Sequence, residues 1–287
     1  VAEMLVAYEI ALRLGIFVAV LIALAAAEAV WPRRTRAMAR WVRWPGNLGI
    51  VALNALTVRV LLPVTTAAVA LAGERQGTGL LPALGLPDWA AFIAAFVALD
   101  LVIYLQHVLF HAVPGLWRLH RMHHADLDFD VTTGGRFHPL EILISMAIKL
   151  AAIVALGAPA SAVIVFEIAL NALAMFNHAN LRLPVGVDAM LRRVVVTPDM
   201  HRVHHSISPE ETNSNYGFNL PWWDRLFGTY RPQPKDGHEK MVIGIRQFRT
   251  ARDLRLDRML IQPALNTAGR ADTPAAARDS ASRRAQT

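Results

Sequence analysis

Residues 89–111 read WAAFIAAFVALDLVIYLQHVLFH, an apolar run that ends in two histidines four residues apart. A helix rises ~1.5 Å per residue, so roughly 20 such residues cross a ~30 Å hydrocarbon core. The span is read as Trp89 to Gln106, and it delivers His107 and His111 to the membrane boundary. At a spacing of four they share one helical face and can grip one ion. Four further runs have comparable length: about Leu5 to Val30, Leu48 to Ala72, Leu140 to Gly157 and Ala160 to Asn177. Gly157-Ala158-Pro159 joins the last two, which predicts a helical hairpin. The first run has no basic stretch ahead of it, so it is expected to be a span and not a cleaved leader, with Met4 as a candidate start.

Composition supports the membrane reading. Of 287 residues, 54% are apolar and 18% charged, the balance of an integral membrane protein. There is no cysteine, which excludes disulfides, thiolate metal sites and cysteine nucleophiles and leaves nitrogen and oxygen as metal ligands. The net charge of +7 comes from arginines beside apolar runs, which favours a membrane surface over nucleic acid. Arg33, Arg34, Arg36, Arg40 and Arg43 crowd the loop after the first run, so that loop is expected in the cytoplasm. The loop at 73–88 has only Arg75 against Glu74 and Asp88. Counting onward from it puts every histidine cluster on the cytoplasmic side. The expected architecture is all-α: a multi-pass transmembrane helical bundle with a cytoplasmic histidine-rich cap. Residues 1–88 would form the N-terminal spans and basic loop, 89–260 the histidine-bearing domain with surface-lying helices, and 261–287 a disordered tail.

The histidines carry the chemistry. The phrase HRMHH at 120–124 returns as HRVHH at 201–205, in a chain with 11 histidines. In such a triad the first ring aligns with both later ones while the adjacent pair diverges by about 100°, so one triad can serve two ions. His120, His123, His124, His201, His204 and His205, with His107 and His111, make eight imidazoles, about four for each of two ions. A closed structural zinc site needs four ligands, and the HExxH of zinc proteases is absent. Imidazole itself suits zinc, iron, copper and nickel alike.

The ordered series H107VLFH111, H120RMHH124, F137HPLE141, N177HANL181, H201RVHH205 and N215YGFNLPWWDRLFGTY230 resembles the sterol desaturase/fatty acid hydroxylase superfamily of integral membrane di-iron oxygenases. The likeness covers roughly residues 90–231. It implies two iron ions, dioxygen as co-substrate, and hydroxylation or desaturation of an unactivated C–H bond in a lipid such as a sterol, acyl lipid or carotenoid. The pair and both triads match the family's metal boxes, His178 is implied as a ninth ligand, and His138 is a further candidate. The chain has no haem-binding HPGG segment, no glycine-rich dinucleotide fingerprint and no cysteine for an iron–sulfur cluster. A separate electron donor is therefore implied, a ferredoxin or cytochrome with its reductase, at the inner face of a cell membrane. A histidine-rich metal transporter or metal-binding protein is the competing reading.

Other residues carry smaller expectations. Asp126, Asp128, Asp130, Asp199 and Glu141 could accept imidazole N–H bonds, although each also reads as a solvated loop charge. Arg121 and Arg202 are expected on headgroups or carboxylates, and His238 in solvent. Trp222, Trp223, Phe227 and Tyr230 would dock the cap on the bilayer or line a substrate entrance. Among the charges inside spans, Arg59, Asp100, Lys149 and Glu167, the first and last are expected to pair.

Overall fold

The computed structural model describes residues 2–265. The chain forms α1 (Ala2–Val30), α2 (Arg40–Leu61), α3 (Thr66–Gln76), the one-turn α4 (Leu80–Ala83), α5 (Asp88–Ala112) and α6 (Pro114–His124). The hairpin α7 (Pro139–Leu156) and α8 (Ala160–Asn177) follows. Short helices complete the chain: α9 (Val185–Leu191), α10 (Pro198–His204), α11 (Pro209–Thr212), α12 (Trp222–Leu226), α13 (Gly237–Lys240) and α14 (Leu256–Ile261). No strand is present among the described residues, only isolated bridges at Pro32–Leu181 and Ser206–Ile243. Five segments are long and apolar enough to cross a membrane: Val6–Val30, Arg40–Ala83, Asp88–Ala112, Pro139–Leu156 and Ala160–Asn177.

α8 is the hub, packed against α1, α3 and α5. Its small residues Ala160, Ala162 and Val163 admit close neighbours, and Phe166 meets Phe96 edge-on at 5.4 Å. The α7–α8 turn forms as expected because Gly157 takes a left-handed conformation, φ 62°, and Pro159 precedes the next helix. A side chain at Gly157 would also collide with the carbonyl of Thr78, 2.2 Å from its Cβ position.

Two expectations are corrected. The second span is two helices. Pro63 cannot continue the backbone ladder, and Thr65 caps α3 by accepting from the Ala68 amide at 3.1 Å. The Arg59–Glu167 pair does not form: Arg59 is exposed on α2, whereas Glu167 meets Arg13 at 2.5 Å, Lys149, and the Thr66 hydroxyl at 2.8 Å. A carboxylate at that depth needs cations from facing helices, and α1 and α7 supply them. The basic loop turns inward. Arg43 is fully buried, holding Asp126 through two bonds of 2.7 Å and Asp130 at 2.6 Å. Arg33 reaches Asp199 at 3.1 Å.

At the C-terminal end, residues 261–265 are ordered, since Arg118 and Arg121 donate to the carbonyls of residues 262–265. The remainder of the expected tail, 266–287, lies outside the described residues.

Candidate metal centre

The histidine-bearing elements meet at one end of the spans: the last turns of α5, the end of α6, the residue capping α8, and α10. Pro114 starts α6, and α10 opens with the Thr197 hydroxyl accepting from the Met200 amide and Pro198 in the first turn. Both triads thus ride on rigid helical turns.

Nine imidazoles gather into two groups whose ligand atoms lie within 4.8 Å of one another. His107, His111, His120, His124 and His204 form the first; His123, His178, His201 and His205 form the second. Each triad is split. The i, i+4 members stay together and the i+3 member crosses over, so α6 gives His120 and His124 to the first group and His123 to the second. α10 does the reverse, giving His201 and His205 to the second and His204 to the first. The five-residue phrase occurs twice because each copy serves both groups with opposite emphasis. His138 falls outside both: it caps α7, its Nδ1 accepting from the Leu140 amide at 3.2 Å, with Nε2 3.2 Å from the Leu260 carbonyl.

The rings point nitrogens at one another. Nε2 of His107 and His120 are 3.1 Å apart, and Nε2 of His178 lies 3.1 Å from those of His201 and His205 and 3.2 Å from that of His123. Meanwhile the Nδ1 atoms of His107, His178 and His204 donate to the carbonyls of Tyr216, Ala174 and Ser214, each at 2.7 Å. His120 Nδ1 is 2.6 Å from Glu141 Oε1, and His111 Nδ1 is 3.4 Å from Asn213 Oδ1. Placing the proton on Nδ1 leaves the Nε2 lone pair bare and aimed inward. Nε2 of His111, His124 and His204 has no hydrogen-bond partner in a fully buried setting.

Burial pushes His120 and His178 down to about 3, and pushes His123, His124, His201, His204 and His205 well below the usual imidazole value, aided by their neighbours. All are neutral. Converging neutral nitrogens, buried from bulk solvent, fit a pair of cations. With no cysteine in the chain, such ions would be held by imidazole and added oxygen ligands.

Of the five acidic residues expected near the histidines, Glu141 alone bonds a member of the two groups. Asp126 and Asp130 pair with Arg43, and Arg43 holds Asp126 well below the usual carboxylate range. Asp128 accepts from the Ala37 and Met38 amides, and Asp199 binds Arg33 and Arg202. They tie the basic loop to the histidine segments instead of meeting solvent. Arg202 also lies 5.1 Å over Phe129, and Arg121 5.2 Å over Phe248, so neither faces headgroups. His238 is buried as well, 2.8 Å from Gln233 Oε1, because α13 packs over Asp199. Sequence reasoning missed the carbonyl acceptors at Ala174, Ser214 and Tyr216. Asn215 was visible in the NYG block. Its φ of 51° turns the backbone there, and its side chain donates to the Met200 and Arg231 carbonyls at 2.8 Å.

Residues 92–229 match the fatty acid hydroxylase family model, a segment containing all nine clustered histidines. The ornithine lipid hydroxylase of Rhizobium tropici is 32% identical over 143 residues, 50% of this chain and 42% of that protein. The alkylglycerol monooxygenase of Xenopus tropicalis is 32% identical over 151 residues, 52% of this chain and 32% of its own. A fatty acid hydroxylase of a Lecanicillium species is 28% identical over 159 residues, 49% of this chain and 43% of its own. The chain thus spans less than half the length of these relatives. No solved structure matches it.

Proposed function

From the membership of residues 92–229 in the sterol desaturase/fatty acid hydroxylase superfamily, we propose that this protein is a membrane-bound di-iron oxygenase that hydroxylates a lipid. The observation that carries the reading is the sorting of nine buried imidazoles into two groups, the ring nitrogens of each lying within 4.8 Å of one another. One iron is assigned to His107, His111, His120, His124 and His204, the other to His123, His178, His201 and His205. When bound, the irons would supply the redox chemistry that activates dioxygen and oxidises a C–H bond, which zinc cannot do. The protein's own part is to fix the tautomers through Glu141 and the Tyr216, Ser214 and Ala174 carbonyls, and to keep the centre dry. His138 is left out of the ligand set, since both its ring nitrogens are engaged at the start of α7.

The substrate class follows the relatives, whose names specify an ornithine lipid, an alkylglycerol and a fatty acid. All are amphiphiles, and lateral entry from the bilayer suits the apolar spans. Hydroxylation is preferred to desaturation on the same ground. Electrons would come from a separate ferredoxin or cytochrome and its reductase, and the arginine-rich loop favours a cytoplasmic centre in the cell's inner membrane. A transporter places its ligands near the bilayer midplane on interrupted helices; these histidines sit at span ends.

The test is metal content together with turnover. Purified protein should carry iron, consume dioxygen when reduced in the presence of a lipid extract, and return a product heavier by one oxygen. Zinc alone, with no oxygen uptake in any lipid extract, would overturn the proposal.

A further inference from the structure

The block after Asn215 sits deeper than a cap should. Measured from Asp88, the far end of α5, Asp100 lies ~18 Å and Tyr104 ~24 Å along the helix. A ~30 Å hydrocarbon core beginning at Asp88 therefore extends past both. Yet Asp100 Oδ2 accepts from the Leu220 amide at 3.2 Å and from the Trp223 indole at 2.8 Å. Tyr104 stacks on Phe227 with centroids 5.5 Å apart, and its hydroxyl meets that of Thr229 at 2.8 Å. Residues 220–229 consequently run beside α5 at span depth.

At that depth the block exposes apolar side chains: Leu226 is 69% exposed and Phe227 52%. On α5 itself, Leu105 and Leu109 are also exposed. Backbone that is not helical survives in a bilayer only if its polar groups are satisfied within the protein. Asp224, fully buried, does this. Its carboxylate accepts from the Tyr216 and Gly217 amides at 2.8 and 2.9 Å and from the Thr229 hydroxyl at 2.7 Å. Its carbonyl accepts from the Thr229 and Tyr230 amides at 2.8 and 3.0 Å. α9 is fastened to the same unit, the Trp222 indole donating to the Arg193 carbonyl and Arg225 to that of Arg192. It too presents apolar residues outward, among them Val185 and Met190.

We propose that residues 215–230 form a re-entrant element lodged in the histidine-side leaflet, with phospholipid acyl chains against Leu226 and Phe227. The proposal concerns membrane contact and stands independently of the oxygenase reading. It brings the lipid phase within three aromatic rings of the first histidine group, because Phe227 stacks on Tyr104, Tyr104 meets Tyr216 at 6.3 Å, and Tyr216 lies 5.1 Å from His111 and 5.5 Å from His107.

The cysteine-free chain makes the test direct. Single cysteines at exposed positions, Leu226→Cys and Met190→Cys, are spin-labelled in full-length protein in phosphatidylethanolamine–phosphatidylglycerol vesicles. Leu105→Cys serves as lipid reference and Lys235→Cys as water reference. Labels at 226 and 190 are expected to collide freely with oxygen, with the nickel-chelate collision rate at 226 reduced to that at 105. A nickel-chelate rate at 226 equal to that at 235 would overturn the proposal. So would a label at 226 that neither reagent reaches, since protein and not lipid would then cover it.

Discussion

The two histidine groups are built from the same phrase yet held by different means. In the five-histidine group, four rings rest their Nδ1 atoms on chosen acceptors: the Tyr216 and Ser214 carbonyls, Asn213 and Glu141. The four-histidine group relies more on packing. Phe137 stacks on His123 at 4.5 Å and Phe129 on His178 at 5.4 Å, and His178 donates to the carbonyl one turn back in α8. Hydrogen bonds set a tautomer, whereas an aromatic face sets only the plane of a ring. The first group is therefore the more tunable of the two, and the second depends more on each ligand it has.

The sharpest way to break that comparison is to remove one ring from each group. His178→Ala leaves three imidazoles in the second group, and His111→Ala leaves four in the first. On the proposed di-iron reading, His178→Ala is expected to lose one of the two metals and all hydroxylation, while His111→Ala keeps more of its metal at equal iron supply. Elemental analysis of the purified variants decides it. Equal metal loss in both would show that ligand number does not separate the groups.

Acidification probes both groups at once. Burial holds His120 and His178 at about 3, below the ~6.5 of an imidazole in an unfolded chain. The unfolded chain therefore takes up protons first. Stability from these rings is complete above about pH 6.5 and is lost progressively as the pH falls toward 3. Metal release should follow the same direction, since only neutral imidazole binds. Chelator-stripped protein is expected to lose thermal stability between pH 6.5 and 5, with the loaded protein resisting to lower pH. A melting temperature of the stripped protein that does not change over that range would contradict the neutral, buried assignment.

Arg43→Met should injure both groups equally. Arg43 clamps Asp126 and Asp130, which follow directly on the triad that feeds both. Removing one member of a buried ion pair costs about 3–5 kcal/mol because the partner charge is stranded. Denaturation in detergent would measure it, and a loss confined to one metal would sharpen the contrast.

Particular residues explain what could be read in advance. The spans were legible because hydrocarbon thickness dictates length, and the 3.6-residue helical period shows that a triad can divide. Pro63 was in plain view, but the apolar run around it hid the break. Arg43 looked like loop charge because its partners Asp126 and Asp130 lie far along the chain, where spacing carries no information. The Glu167 cations come from α1 and α7, and only packing selects those over Arg59. Backbone acceptors such as the Ser214 carbonyl leave no trace in sequence, since every residue carries one. Glu141 was nominated beside four aspartates, and only packing shows that it is the one of the five to meet a ring of either group.

Glu141 also supplies the finest test. Among the described residues it is the one carboxylate on a ring of either group, 2.6 Å from His120 Nδ1, and there it touches the first group alone. Glu141→Gln keeps the shape and an oxygen acceptor, so the ring should stay in place while the basicity lent by a carboxylate is lost. Partners of this kind are worth about 10–100-fold in metal affinity or activity. Glu141→Gln is therefore expected to weaken one metal by that factor and leave the other unchanged, whereas Phe137→Leu, which alters the ring stacked on His123, should shift the second metal less. Metal titration of stripped protein with competing chelators resolves the two affinities. If Phe137→Leu proved the more damaging, packing would be setting the second group as tightly as hydrogen bonds set the first.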